Sequence, residues 1–196
     1  MTDTNGTHVV LGGNGVAGRE TVRALLARGE PTVSVGRKPS TLDGAESRLA
    51  DLLDAADVSR ALSGAAVAYL TVGLPYSSRV WAAQWPVIVR NVIDAAVANG
   101  THLVYLDNVY AYGRVHGPMT ERTAIDPNSR KGQIRADVLR ALESAKAERG
   151  LIVTVARSAD FYGPGATTSV FNAFVIDRIR AGKDATWFFD ADQPHS

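Results

Sequence analysis

Glycines stand at positions 12, 15 and 18 of the stretch VVLGGNGVAG, which begins in an apolar run and leads into a helical pattern. A strand before and a helix after are the context that a phosphate-binding glycine turn requires. Gly12 would permit the tight turn, Gly15 would let the backbone approach a pyrophosphate, and Gly18 would let the helix pack against the strand. Free N–H groups at the helix start would then face the phosphates. The stretch predicts a dinucleotide site, and a turn without a ligand is the alternative.

Two cations, Arg37 and Lys38, follow the next apolar run, which reads VSVGRKPS and ends without an acidic residue. Enzymes that use NAD place a carboxylate there, on the ribose 2′-hydroxyl, whereas enzymes that use NADP accommodate the 2′-phosphate with a cation. A guanidinium grips a phosphate through two parallel hydrogen bonds, and an adjacent ammonium adds charge. The pair predicts NADP in preference to NAD. Two solvated surface cations are the alternative.

Composition bounds the class of protein. The chain has 196 residues, of which 45% are hydrophobic and 21% charged, and this suits one soluble globular domain. Its formal net charge is +1, so no strong positive field attracts nucleic acid. The chain has no cysteine, which excludes disulfides and thiolate metal sites and is in keeping with a reducing compartment. With no signal-peptide pattern and no membrane-span pattern, we expect a cytoplasmic protein.

Strand and helix patterns alternate along the chain. Short apolar runs predict six strands, at residues 7–11, 31–36, 47–51, 66–73, 102–108 and 151–157. Helical spacing predicts five helices, at residues 16–29, 54–64, 79–100, 130–150 and 169–182. Pro86 falls inside the third helix and predicts either a kink or a late start. The last residues, 184–196, are expected to add one short strand.

These elements predict an α/β fold with a doubly wound, Rossmann-like parallel sheet of about six strands. Apolar strands separated by helices imply a parallel sheet covered on both faces, and right-handed crossovers wind it in both directions. We expect one domain over residues 1–196. Ligands of such sheets bind beyond the carboxyl ends of the strands, near the point where the strand order reverses. The glycine stretch and the cationic pair both fall at such ends.

The spacing Gly-x-x-Gly-x-x-Gly and three later stretches resemble the extended short-chain dehydrogenase/reductases, and among them the NAD-dependent epimerase/dehydratase family. HLVYLDNVYAYG resembles the family segment VYxSSxxVYG, and VARSADFYGPG resembles LRxxNxYGPG. SRLADLLDAADVSRAL resembles the third-strand region, where the resemblance implies that Asp51 and Leu52 contact adenine. The cofactor contacts expected in all are Gly12, Asn14, Gly15, Val16, Gly18, Arg37, Lys38, Asp51, Leu52 and Val72.

The resemblance also implies three catalytic side chains: a Ser or Thr on the substrate oxygen, a Tyr that transfers the proton, and a Lys four residues later. Here Asn108 holds the Ser/Thr position, and its amide can still hydrogen-bond a substrate oxygen. Lys131 holds the tyrosine position and Arg135 the lysine position, so the Tyr-x-x-x-Lys pair is missing. Arg135 would offer its cation to the nicotinamide ribose.

Tyr110 and Tyr112 follow the fifth strand and are candidates to replace the missing phenol. The tyrosine of VYG mainly packs in the family, which favours a packing role for Tyr112, whereas Tyr110 either packs or acts in catalysis. Asp107 is either a base or a hydrogen-bond acceptor for the loop. Of the four histidines, His102 is expected to be structural, and no pair has zinc-ligand spacing, so no metal site is expected.

The stretch LPYSSRVWAAQWP follows the fourth strand, where the resemblance implies a loop beside the nicotinamide. Its Tyr76, Trp81 and Trp85 are candidates to line a substrate pocket, and the alternative for the two tryptophans, which share one helix face, is a role as core or interface anchors. The resemblance further implies a possible homodimer packed through the long helices after strands four and five. WFFDADQPHS resembles the point where relatives continue into a substrate-binding lobe, so we expect that lobe to be absent or truncated.

Together these features predict an NADP-dependent oxidoreductase or epimerase/dehydratase-like enzyme. It would transfer hydride to or from a carbonyl or hydroxyl carbon of a small or sugar-like substrate. Asn108 would orient the substrate oxygen, Tyr110 or Lys131 would handle the proton, and Arg135 would hold the ribose. The alternative is a non-catalytic NADP-binding sensor or regulatory protein, which the missing Tyr-x-x-x-Lys pair favours.

Overall fold

Six strands form one sheet in the computed structural model, which describes residues 6–167 and 169–187. The strands are Thr7–Leu11 (β1), Thr32–Gly36 (β2), Glu46–Leu49 (β3), Ala65–Leu70 (β4), His102–Asn108 (β5) and Val153–Ser158 (β6). Their order is β3-β2-β1-β4-β5-β6, and the pairs β1–β2, β2–β3, β1–β4 and β4–β5 are parallel. The predicted doubly wound sheet is confirmed, with the strand order reversing between β1 and β4.

Helices connect the strands. They are Val16–Ala27 (α1), Ala55–Leu62 (α2), Ser78–Asn99 (α3), Arg130–Arg149 (α4) and Asp177–Arg180 (α5), with a 3₁₀ helix at Val109–Tyr112 and a π-helical turn at Asn172–Ile176. The side chain of Asp54 caps α2 and that of Ser129 caps α4, which fixes where both helices begin. Residue contacts divide the chain into a unit that ends at Arg157 and a unit that begins at Ser158.

Pro86 lies inside α3, which begins at Ser78, so the prediction of a late start is wrong. Because proline has no N–H, it leaves the carbonyl of Ala82 without its helical partner. Ala82 and Pro86 are both exposed, so water can satisfy that carbonyl. The helix can therefore continue through the proline at little cost.

The last elements match the expectation in part. The helix predicted over 169–182 is present from residue 170 to residue 180, with the π-helical turn in its middle and the short α5 at its end. Of the strand expected over 184–196, residues 184–187 form no strand, and residues 188–196 lie outside the described residues. The stretch that resembles the start of a substrate-binding lobe lies outside them too, apart from Trp187.

Both faces of the central strand β1 are buried. Val9 and Leu11 pack on one face with Trp85 and Tyr105, in a large apolar cluster to which α2, α3 and α4 contribute. Val10 packs on the other face in a smaller cluster against α1. Burial on two faces explains why β1 ends in three consecutive apolar residues, Val9, Val10 and Leu11. Of the helices described, none is long and apolar enough to cross a membrane.

Candidate active site

The glycine turn joins β1 to α1, and its three glycines meet different requirements. Gly12 has a φ of +92°, and a Cβ there would lie 2.7 Å from Cα of Val72. A Cβ on Gly18 would collide with the carbonyl oxygen of Gly12. A Cβ on Gly15, by contrast, would have only that carbonyl oxygen within 4 Å among the described atoms, at 3.2 Å. The fold itself requires Gly12 and Gly18, whereas a Cβ on Gly15 would make one tight contact that a small shift of the turn relieves.

The glycine turn leads directly into the N-terminus of α1. Gly15 is the N-cap residue, the first turn holds no acidic residue, and within the described ranges no side chain caps the helix. The amide of Asn14 instead donates to the carbonyl oxygens of Lys38, at 2.8 Å, and of Pro39, at 3.1 Å. The first N–H groups of α1, beginning at Val16, therefore fit a pyrophosphate, because uncapped N–H groups and the helix dipole both favour negative charge there.

Arg37 and Lys38 follow the carboxyl end of β2, as predicted, and both are exposed. Neither forms an ion pair with any residue of 6–167 or 169–187. The two hydrogen bonds from Asn14 hold their loop against the glycine turn. Asn14 thus acts through the backbone of the neighbouring loop, which sequence reasoning did not anticipate.

Asp51 and Leu52 follow β3, at the edge where adenine contact is expected. The carboxylate of Asp51 is exposed and accepts from the N–H of Leu53 at 3.0 Å. The side chain of Leu52 packs in the large apolar cluster, and its carbonyl oxygen accepts from Asn91 at 3.0 Å. Contact of this pair with a cofactor stays a prediction, as it does for Val72.

A cluster of aromatic rings, hydroxyls and one amine lies beyond the carboxyl ends of β4 and β5. The hydroxyls of Tyr76 and Tyr110 are 3.2 Å apart, and Nζ of Lys131 lies 3.0 Å from the centroid of the Tyr76 ring. The Tyr110 ring stacks on Trp81, with centroids 6.2 Å apart and an interplanar angle of 18°. Below, this group of four residues is called the hydroxyl–amine cluster. It joins two predicted catalytic residues to a tyrosine expected only to line a pocket.

Asn108 ends β5 and caps the 3₁₀ helix, because its Oδ1 accepts from the N–H of Tyr110 at 3.1 Å. Its amide nitrogen has the chemistry to bind a substrate oxygen. The start of α4 packs directly on this helix, since a Cβ on Gly132 would collide with the carbonyl oxygen of Tyr110. The absence of a side chain at Gly132 therefore allows α4 to bring Lys131, the preceding residue, close to Tyr76.

Arg135 is 6% exposed, and its guanidinium points into the core, where it contacts Tyr105 and Asp107. Nη1 donates to the hydroxyl of Tyr105 at 2.6 Å, and Nε lies 3.2 Å from Oδ1 of Asp107, close enough for an ion pair but poorly aligned for a hydrogen bond. The guanidinium also lies 4.4 Å from the Trp85 ring. These contacts favour a structural role, and binding of a ribose by Arg135 stays an untested prediction.

Asp107 joins β5, β6 and α4. Its carboxylate is fully buried, with Arg135 on one oxygen and Nε of Arg157 at 3.1 Å from the other. Burial raises the pKa of the nearby Tyr105 phenol far above its usual value, and the Asp107 carboxylate adds to the rise, so Tyr105 stays protonated. Between the two alternatives for Asp107, these contacts favour an acceptor over a base.

The remaining candidates pack. The hydroxyl of Tyr112 donates to the carbonyl oxygen of Thr120 at 3.0 Å, and His102 Nε2 lies 2.9 Å from the Thr154 hydroxyl. Trp85 is buried among apolar side chains, which makes it a core anchor. Among the described residues, no group of three or more metal-ligating side chains lies together.

Sequence reasoning missed the contacts between distant elements, although it named most of the residues in them. A carboxylate at position 107 and an arginine at 157, each in an otherwise apolar strand, were the signal for the buried ion pairs. Gly132, directly after Lys131, was the signal for the close approach of α4. Nothing in the local sequence indicated that Tyr76 lies against Lys131.

The model of the NAD dependent epimerase/dehydratase family matches residues 8–193. Solved structures similar to the chain include a UDP-glucuronic acid 4-epimerase from Bacillus cereus with UDP-glucuronic acid and NAD, at 16% identity and a TM-score of 0.84. A UDP-glucose 4-epimerase from Thermotoga maritima with UDP-glucose matches at 20% identity and a TM-score of 0.80. In both cases the match covers 95% of this chain and 67% of the other.

A dTDP-glucose 4,6-dehydratase from Streptomyces venezuelae with NAD matches at 20% identity and a TM-score of 0.76, over 89% of this chain and 62% of the other. Identities this low show the fold alone. The chain spans about half to two thirds of the length of the solved structures it matches, from 49% to 67%. No curated protein sequence matches it.

Proposed function

The chain belongs to the NAD dependent epimerase/dehydratase family, and from that premise we propose that it is an NADP-dependent oxidoreductase or epimerase/dehydratase-like enzyme. It transfers hydride to or from a carbonyl or hydroxyl carbon of a small or sugar-like substrate. The observation that carries the proposal is the glycine turn, where Gly15 is the N-cap residue of α1 and no described side chain caps the helix. The hydroxyl–amine cluster, also at the carboxyl edge of the sheet, supplies groups that move a proton.

The preference for NADP rests on the loop after β2. Arg37 and Lys38 are exposed, make no ion pair within the described ranges, and are held near the glycine turn by Asn14. A ribose 2′-phosphate at this loop gains charge-assisted hydrogen bonds, whereas a 2′-hydroxyl gains much less. The similar structures named above that carry a dinucleotide contain NAD. The proposed preference for NADP over NAD therefore rests on Arg37 and Lys38 of this chain.

In the proposed reaction the bound cofactor supplies or accepts the hydride. The Asn108 amide donates to the substrate oxygen and orients it. The Tyr110 hydroxyl gives its proton to that oxygen during reduction and receives one during oxidation. Lys131 places positive charge beside the phenols and thereby stabilises the negative charge that a phenol carries after giving up its proton.

Binding and turnover test the proposal together. Purified protein is titrated with NADPH by calorimetry and then assayed with NADPH and a panel of carbonyl compounds, including nucleotide-linked keto sugars. We expect NADPH to bind and at least one carbonyl to be reduced. Tyr110→Phe should lower kcat by about 100-fold or more while NADPH affinity stays unchanged. Absence of binding to NADPH and NADH at millimolar concentration would refute the cofactor site itself.

A non-catalytic NADP-binding sensor is the second candidate, and one observation favours it. The helix α4 carries Lys131 and Arg135 where family enzymes carry Tyr and Lys, and Arg135 is occupied by Asp107 and Tyr105. Such a protein would bind NADPH tightly and reduce nothing in the panel. The same assay therefore separates the two candidates.

The proposal also includes a homodimer in the cytoplasm. A groove of about 420 Å³ between α3 and α4 is lined by apolar side chains such as Val89, Ile93 and Val138, with charged residues at its rim. A second copy would cover this face. The absence of cysteine from the chain agrees with a reducing compartment.

A further inference from the structure

Tyr76 lies in the hydroxyl–amine cluster without a role in the reaction proposed above. It comes from the loop between β4 and α3, whereas Tyr110 comes from the 3₁₀ helix after β5. The two phenol oxygens are 3.2 Å apart, which is hydrogen-bond distance, and the two rings meet edge to face at 75°. The chain therefore places a second phenol directly behind the proposed proton donor.

The two phenols differ in their access to water. Tyr76 is 71% exposed, whereas Tyr110 is half-buried and stacks on Trp81. The loop that carries Tyr76 is held in place because Nε1 of Trp81 donates to the carbonyl oxygen of Pro75 at 3.0 Å. A proton can thus pass between solvent and Tyr110 through the hydroxyl of Tyr76.

Lys131 lies beside Tyr76, the outer member of this pair. Its Nζ is 3.0 Å from the centroid of the Tyr76 ring and 5.8 Å from that of Trp81. A cation on the ring face is attracted by the ring quadrupole, and it stabilises negative charge on the phenol oxygen as well. The negative charge left when Tyr76 gives up a proton would therefore lie beside an ammonium group.

We infer that Tyr76 relays protons between solvent and Tyr110, an inference that rests on the proposed function. During reduction the carbonyl carbon gains the hydride and the carbonyl oxygen gains the proton of the Tyr110 hydroxyl. The Tyr76 hydroxyl proton then moves to the Tyr110 phenolate, and a solvent proton returns to Tyr76. Each carbonyl consumes one hydride and one solvent proton, and both phenols end as they began. Tyr76 acts through Tyr110 and is a positioning residue.

Tyr76→Phe tests the relay because it keeps the ring under Lys131 and removes only the hydroxyl. With NADPH and a reducible carbonyl in dilute buffer, kcat should fall between about tenfold and 100-fold with KM unchanged. Raising the concentration of imidazole buffer should restore kcat in this variant and leave the wild type unaffected, since a small acid replaces the missing relay. Tyr69→Phe is the control, because Tyr69 packs against α1 on the other face of the sheet.

Two outcomes separate this inference from the proposed function. If Tyr110→Phe is inactive while Tyr76→Phe matches the wild type in dilute buffer, the relay is overturned and the proposed function stands. If Tyr110→Phe turns over like the wild type, the proposed function loses its proton donor and the relay falls with it. A loss of kcat in Tyr76→Phe that imidazole does not restore also overturns the relay.

A second measurement needs neither cofactor nor turnover. Alkaline titration followed at 295 nm counts phenols as they ionise. In a hydrogen-bonded pair, one hydroxyl donates to the phenolate of the other, so the two ionisations are coupled. Tyr76→Phe should lose one phenol and remove the coupling from the titration of its former partner, whereas Tyr69→Phe should lose one phenol and leave the Tyr76–Tyr110 pair unchanged. If the remaining phenols of Tyr76→Phe titrate as in the wild type, the hydroxyl pair does not exist in solution.

Discussion

Gly15 and Gly18 lie three residues apart, and a side chain would meet different surroundings at each of them. A Cβ on Gly18 would collide with the Gly12 carbonyl, whereas a Cβ on Gly15 would lie 3.2 Å from the same carbonyl oxygen, a tight contact that a small shift relieves. The backbone of Gly15, with φ −73° and ψ 170°, is also accessible to any residue. One methyl group should therefore affect binding at position 15 and folding at position 18.

The first prediction compares Gly15→Ala with Gly18→Ala. Gly15→Ala should lower the midpoint of unfolding less than Gly18→Ala does and weaken NADPH binding by about tenfold or more, since a lost contact of 1.4 kcal/mol is tenfold. Gly18→Ala should lower the free energy of unfolding by about 1–3 kcal/mol, because α1 must move away from the turn. Urea unfolding and calorimetry measure the two effects. Unchanged NADPH affinity in Gly15→Ala would mean that the cofactor does not approach Gly15.

The cationic loop gives the second prediction, on cofactor choice. Replacing Arg37 and Lys38 by alanine should weaken NADPH binding by about 10–100-fold, the range of one lost charged hydrogen bond, and leave NADH binding nearly unchanged. Arg23→Ala is the control, because Arg23 is an exposed arginine of α1 paired with Glu20. Calorimetry with both cofactors measures the ratio. An equal loss for NADPH and NADH would refute recognition of the 2′-phosphate.

At the scale of elements, buried charges hold β5, β6 and α4 together. Asp107 is the carboxylate shared by Arg135 from α4 and Arg157 from β6. Asp107 directly precedes Asn108 in the chain. Its ion pairs therefore also fix the position of Asn108 at the end of β5. Removing one member leaves a buried charge without compensation, which costs much more than an exposed pair contributes.

The third prediction is that Asp107→Asn lowers the free energy of unfolding by about 3–5 kcal/mol, since it leaves two arginines with a neutral partner. Arg140→Ala removes the exposed i,i+3 pair with Asp137 on the same helix and should cost less than about 0.5 kcal/mol. Urea unfolding of both variants measures the difference. Equal stabilities would show that Asp107 does not hold these elements together.

At the scale of the whole molecule, α3 and α4 leave an apolar groove that a second copy would cover. The single domain expected over residues 1–196 stays a prediction, because residue contacts divide the chain after Arg157. The groove lies within the first of these units. Dimerisation therefore concerns one unit and can be tested on the full chain.

The fourth prediction is that Ala141→Arg, at an exposed position in the groove, shifts a wild-type dimer to monomer without unfolding it. Ala98→Arg, at an exposed position of α3 outside the groove lining, is the matched control and should remain dimeric. Sedimentation velocity measures the mass of each. A wild-type chain that sediments as a monomer at all concentrations would refute the homodimer.

The sequence by itself determined the sheet and the cofactor turn. The strands near 7–11 and 102–108, the helices after them and the glycines at 12, 15 and 18 were all predicted, because apolar periodicity and glycine sterics act between residues close in the chain. Right-handed crossovers predicted a doubly wound sheet, whereas the strand order β3-β2-β1-β4-β5-β6 came from the structure. The late start predicted from Pro86 was wrong, because α3 begins at Ser78 and runs through the proline at an exposed position.

Tertiary structure alone decided what the catalytic candidates touch. Tyr76 meets Tyr110 across 34 residues of chain, and Asp107 meets Arg157 across 50. Such contacts depend on how helices seat on the sheet, which no local pattern encodes. The same packing turned Arg135 inward, although its position in the sequence suggested a ribose contact. The sequence shows which side chains can transfer a proton, but which of them lie in contact depends on the packing of the folded chain.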